Sequence, residues 1–152
     1  MIVAMIAPEV ASELDHVLEN SSTRLLAISE ESAGKRPTPE SWCKKEILGH
    51  LIDSASNNHQ RFVRLQLAPS LEMPSYEQNG WVRSQNYASR SWRDLVELWL
   101  VYNRHLVHVI RHADPAAAGH IWKANGKDTG LQFLIEDYLR HLNHHLAQIL
   151  EG

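Results

Sequence analysis

In Leu131-Gln132-Phe133-Leu134-Ile135-Glu136-Asp137-Tyr138-Leu139-Arg140-His141-Leu142-Asn143-His144-His145-Leu146-Ala147-Gln148-Ile149, apolar residues recur at steps of three and four. That is the period of an amphipathic helix with one buried face. Leu131, Leu134, Ile135, Tyr138, Leu142, Leu146 and Ile149 define the inner face. Thr129-Gly130-Leu131-Gln132 has the form of a capping box, and the helix is expected to run nearly to Gly152. His141 and His145 stand four residues apart, about 40° around the axis, so both imidazoles look into the same interior.

Three further segments carry the same period, and none shows the strict alternation of a half-buried strand, which predicts an all-α chain. The first predicted helix runs from about Pro8 to Ser29, with Val10, Leu14, Val17, Ser21, Leu25 and Ile28 in line; Gly34, Pro37 and Pro39 end it. The second starts near Ser41-Trp42 and continues to about Leu67. Its apolar stripe holds Ile47, Leu48, Leu51, Ala55, Phe62 and Leu65, beside a polar stripe of Glu46, His50, Asp53, Asn57 and Arg61. The third opens at a second capping box, Ser91-Trp92-Arg93-Asp94, buries Leu95, Trp99, Tyr102, Leu106 and Val109, and stops at Asp114-Pro115. An Ala/Gly-rich loop through Trp122 to Gly126 leads to the last helix.

Between the second and third helices lie about 23 residues, enough to cross the whole length of a bundle, whereas a tight helical hairpin needs only a few. Two neighbouring helices are therefore expected to run parallel. The crossover carries Tyr76, Trp81 and Tyr87, aromatics suited to roofing a pocket.

Length and composition narrow the class. The 152 residues suit one domain, read here as 1–152, with 43% hydrophobic and 22% charged residues. With 15 Lys+Arg against 18 Asp+Glu and a net charge of -3, nothing offers the phosphate attraction that nucleic-acid binding needs. The opening Met1-Ile2-Val3-Ala4-Met5-Ile6-Ala7 carries no Lys or Arg and is stopped by Pro8, so neither export nor a membrane span is expected. One cysteine, Cys43, closes no internal disulfide and suits the reducing cytoplasm. Placed beside Trp42 near the start of the second helix, it reads as a small packed residue rather than a reactive thiol.

The chain has 10 histidines. Spacing alone leaves His141 and His145 either as ligands or as a chance pair in a histidine-rich chain. His108 and His112 repeat the spacing, but off the buried line and near a helix end, where protonated imidazole complements the macrodipole. His16, His59, His105 and His120 form no comparable pair, and His144 falls outside the inner stripe. A third ligand for the final-helix pair is offered by His50, at the edge of the second helix's apolar stripe. Three histidines hold Zn²⁺ or a similar cation with a coordination position left open, the mark of a catalytic rather than a structural site. Asp53, Asn57 and Gln148 are candidates to orient the imidazoles or a bound water.

Trp42-Cys43-Lys44-Lys45-Glu46-Ile47-Leu48-Gly49-His50-Leu51-Ile52-Asp53 resembles the helix-two signature of the DinB/YfiT-like superfamily. His141-Leu142-Asn143-His144-His145-Leu146-Ala147-Gln148-Ile149 resembles that family's final-helix pattern. The resemblance spans nearly the whole chain. It implies a four-helix bundle with a long crossover after helix two, usually homodimeric, that binds one divalent ion, zinc or nickel, through His50, His141 and His145. It further implies a metal-dependent enzyme acting on a small molecule. The first reading is an S-transferase that passes a low-molecular-weight thiol to an electrophile; the alternatives are a hydrolase and a non-catalytic, metal-stabilised binding or dimerisation module.

Overall fold

Pro8 sits in the first turn of α1 (Ala7–Leu26), where its missing N–H costs nothing. In this computed structural model, which describes residues 6–152, the rest of the apolar opening segment lies outside the described residues. The first helix stops short of its predicted end because Ser29 has another task. Its hydroxyl accepts from the Ser32 N–H at 3.1 Å and caps a separate short helix, α2 (Glu30–Gly34).

Then follow α3 (Lys44–Leu67), β1 (Ser70–Glu72), α4 (Gln78–Gln85), α5 (Trp92–Arg111), β2 (Ile121–Ala124), β3 (Lys127–Gly130) and α6 (Leu131–Glu151). The long helices α1, α3, α5 and α6 form the expected four-helix bundle. Cys43 is the cap residue before α3, and its N–H donates to Glu46 Oε1 at 3.1 Å. At α5 the Ser91 hydroxyl accepts from the Asp94 N–H, as the capping sequence predicts. No described helix is long and apolar enough to cross a membrane.

The chain is mostly helical, as expected, but three short strands also form, and the cap assigned to the last helix is wrong. Thr129 belongs to β3, paired with Trp122, and the helix cap is Gly130, without a side-chain bond. The free N–H groups of Leu131 and Gln132 instead donate to the carbonyls of His120 and Ala118, at 2.9 and 3.1 Å. β1 pairs parallel with β2, and β2 antiparallel with β3, so the small sheet ties the crossover to the hairpin before α6. At the hairpin's tip Asn125 and Gly126 have φ of 54° and 73°. Asn-Gly takes that left-handed pair at little cost.

Hydrogen bonds between helix ends fix the direction of each helix. Glu30 accepts from Lys45 Nζ at 2.7 Å and from the Trp92 N–H at 2.8 Å, which places the starts of α3 and α5 together. The Asp114 N–H donates to Gln66 Oε1 at 3.0 Å, joining their far ends, so the two run parallel as the long crossover requires. Trp92 Nε1 donates to the Leu25 carbonyl at 2.8 Å, bringing the end of α1 to the start of α5. Lys44 Nζ reaches the Gly152 carbonyl, which makes α6 antiparallel to α3.

Trp99, Phe62, Leu14, Leu48, Leu106 and Ile135 are among the fully buried side chains of the core. One polar link crosses it: the Tyr138 hydroxyl donates to Asn103 Oδ1 at 2.5 Å, and Asn103 Nδ2 donates to the Trp99 carbonyl at 2.9 Å. Both residues bury polar atoms, and each atom named has its partner, as a low-dielectric interior demands.

Candidate metal centre

The second turn of α3 and the last half of α6 lie at the same end of the bundle, and there the three predicted ligands meet. His50, His141 and His145 each present one nitrogen, and these nitrogens lie within 4.8 Å of one another. His50 Nε2 is 3.1 Å from His141 Nε2. Ring centroids stand 4.7 Å apart for His50 and His145 and 4.6 Å apart for His141 and His145. His50 is 1% exposed. Its Nδ1 has no hydrogen-bond partner among the described residues, so the engaged edge of this ring is the one facing His141.

The donor set fits a divalent cation. Nitrogens each about 2.0–2.1 Å from a tetrahedral Zn²⁺ stand roughly 3.4 Å apart, close to the separation seen between His50 and His141. Gln148, one turn beyond His145, accepts from His145 Nδ1–H through Oε1 at 2.8 Å. That bond fixes the ring's tautomer and leaves Nε2 with a free lone pair. Trp42 covers His50, its ring 5.1 Å away.

Asp53 and Asn57 do not reach the imidazoles. Asp53 Oδ1 accepts from the Tyr87 hydroxyl at 2.7 Å and from Gln85 Nε2 at 2.8 Å, while Asn57 Nδ2 donates to the Asp53 carbonyl at 2.9 Å. Asp53 thus anchors the crossover to α3 one turn after His50. The crossover's contribution could not be read from α3 alone, where a carboxylate at that position looks equally able to face the histidines.

The remaining histidines go elsewhere. His59 meets the Tyr102 hydroxyl at 2.9 Å, His120 Nδ1 donates to the Leu65 carbonyl, and His112 Nδ1 donates to the His108 carbonyl at the end of α5. Cys43 is buried, and that burial raises its thiol pKa, so it offers no ready thiolate.

Beside the triad opens a cleft of about 400 Å³, lined by His141, Tyr138 and Asp137 from α6, Arg61 from α3, Tyr76 from the crossover and Trp122 from β2. Of the three crossover aromatics expected to roof a pocket, Tyr76 does so. Tyr87 is the anchor to Asp53, and Trp81 packs edge-on against Tyr76 with centroids 5.1 Å apart.

Burial, and then the neighbouring His141 and His145, hold the His50 pKa down to about 4. Burial, with His145 next, does the same to His141, also to about 4. Both rings are therefore neutral at pH 7, the form a cation needs. In metal-free protein, the unfolded chain takes up protons near pH 6.5 that the folded chain refuses until about pH 4. Stability then falls as pH drops through that window, by up to about 1.4 kcal/mol per pH unit for each ring. Melting in chelator at pH 7 and pH 5 is expected to show a clear drop, roughly halved in a His141→Gln variant; equal melting temperatures at the two pH values would contradict the burial described.

The family described as the DinB superfamily matches residues 13–149, and the chain belongs to it. Among solved structures, the chain is similar to YfiT from Bacillus subtilis, with a TM-score of 0.71 and 16% identity over 93% of this chain and 84% of that one. YfiT is described as a probable metal-dependent hydrolase with an unusual four-helix bundle topology. No curated protein matches the chain.

Proposed function

We propose that this chain is a divalent-metal-dependent enzyme that uses His50, His141 and His145 to hold zinc or nickel and processes a small molecule in the adjoining cleft. The observation that carries this is the convergence of three imidazole nitrogens to within 4.8 Å, one of them on a residue that also lines the cleft. A purely structural zinc is usually closed by four protein ligands, and among the described residues no fourth His, Cys, Asp or Glu joins this group.

When bound, the cation supplies Lewis-acid activation, lowering the pKa of a thiol or water that coordinates it. The chain's own part is positioning. His50 and His141 stay neutral through burial, Gln148 orients His145, and Trp42 shields the buried ring. The anchor from Tyr87 to Asp53 holds the crossover against α3 beside the site. Cys43 is packed away, so a reacting thiol enters as a co-substrate.

Transfer of a low-molecular-weight thiol to a small electrophile is the first reading. Hydrolysis is the second, favoured by the likeness to YfiT. The test is a panel of bacillithiol, mycothiol and glutathione with monochlorobimane, run beside ester and amide substrates, on untagged protein before chelation, after it, and after restoring zinc or nickel. We expect turnover in one panel that chelation abolishes and metal restores. Metal-loaded protein inert in both panels, with chelation lowering only the melting temperature, would overturn the enzyme reading in favour of a metal-stabilised binding module.

A further inference from the structure

The polar face of α3 continues past the triad. His50, Ser54, Asn58 and Arg61 succeed one another at steps of four, four and three, the spacing of one helix face, and the last three line the cleft with His141. Arg61 is 6% exposed, yet among the described residues no carboxylate forms an ion pair with it. Its guanidinium lies 3.8 Å from the centre of the Trp122 ring. Among the described residues its one hydrogen bond is long, from Nη1 to Asn58 Oδ1 at 3.4 Å, and the buried Nε has no partner. The cleft's one lining carboxylate, Asp137, is engaged by Arg140 Nη1 at 2.8 Å.

A buried, unpaired cation is expensive, and stacking on Trp122 does not require one, since a methionine would cover the same ring. The cost has a use if an anion completes the pair. Arg61 lines the cleft, and its planar guanidinium fork offers N–H donors in the geometry that suits a carboxylate. Burial also disfavours the charge on Arg61, a cost that a bound carboxylate would offset.

The geometry points to a carboxylate-bearing small molecule as the ligand of this cleft, its carboxylate on Arg61 above Trp122 and its remaining atoms directed along α3 toward the histidines. This rests on reading the cleft as the substrate site. Eleven residues, about 16 Å of helix rise, separate Arg61 from His50, so the ligand is metabolite-sized rather than acetate-sized. A neutral analogue would leave Arg61 buried and unpaired, which makes the anion a basis for selectivity as well as affinity.

The probes are 4-phenylbutyrate and its neutral isostere 4-phenylbutyramide, titrated by calorimetry into chelator-treated and zinc-loaded parent and variants, with the Arg61 Nε–H resonance of the parent also followed by NMR. We expect the carboxylate to shift that resonance saturably and to bind at least tenfold tighter than the amide in both forms. Arg61→Met should abolish the preference while keeping or raising the melting temperature, the opposite of what loss of a structural arginine does. Arg61→Lys, which keeps a charge but not the planar fork, should lose most of the preference and serves if the methionine variant fails to fold. Equal binding of the two probes, or an undiminished preference in either variant, overturns the inference. Chelator-treated protein that prefers the carboxylate sustains it even if the metal reading fails. Zinc-binding protein with no preference sinks it and leaves the metal reading intact.

Discussion

Gly49→Ala is expected to destabilise the protein by about 2 kcal/mol, although alanine is the better helix former. A methyl group at position 49 would meet Tyr87 Cδ2 at 2.2 Å and Cγ at 2.4 Å. The ring cannot swing aside, because Tyr87 is 4% exposed and its hydroxyl donates to Asp53 Oδ1 at 2.7 Å. Against a ring held in place, overpacking falls at the upper end of its usual range, about 3 kcal/mol, and the gain of about 1 kcal/mol in helix propensity leaves a net loss of about 2 kcal/mol. In a chain of this size the deficit corresponds to a melting temperature lower by roughly 4–8 °C. Tyr87→Ala, costly by itself, should remove most of the added penalty in the double variant. Gly34→Ala is the control, since nothing lies within 4 Å of a Cβ there. Were Gly49→Ala as stable as the parent, the close seating of the crossover on α3 beside His50 would be wrong.

His145→Ala is expected to abolish stoichiometric metal binding while leaving the fold intact. His145 is only half-buried, so truncation opens little of the core, but it removes one of three nitrogens and strands Gln148. Losing an outer partner of a metal ligand already costs about 10–100-fold in affinity, and losing the ligand itself should exceed that. Elemental analysis of untagged protein reads the loss directly. Melting supplies a second measure: metal at 100 times its Kd stabilises the folded state by about 2.7 kcal/mol, a gain the variant should not show. His144→Ala is the discriminating neighbour. His144 is exposed and stands 3.4 Å from the Gln148 amide nitrogen, so metal content should not change. Unchanged metal in His145→Ala, or equal loss in both variants, would contradict the assignment.

The helices and the triad could be read from sequence because both depend on a period. The stripe through Leu134, Tyr138, Leu142 and Leu146 sets the inner face of α6, and His141 and His145 sit beside it at helical spacing. Length alone predicted the parallel pairing of α3 and α5, since no hairpin turn needs so many residues. The strands escaped because each has only three or four residues, too few for alternation to register. Asn125-Gly126 was nevertheless a usable hairpin signal, and reading it would have moved Thr129 out of its supposed capping role. The partners of Asp53 and the isolation of Arg61 had no local signature. Both depend on what a distant segment brings or fails to bring: Tyr87 and Gln85 for Asp53, Trp122 without a carboxylate for Arg61.

The parallel arrangement of α3 and α5 also shapes how the chain reaches this structure. Neighbours in an up-and-down bundle can zip from a short turn, but these two cannot meet until the intervening segment has traversed the bundle. The parallel strand pair imposes a similar delay, because residue 70 finds its partner only at residue 121. Closing loops of that length comes before their contacts repay it, so refolding is expected to be slower than for an all-antiparallel helical bundle of equal size.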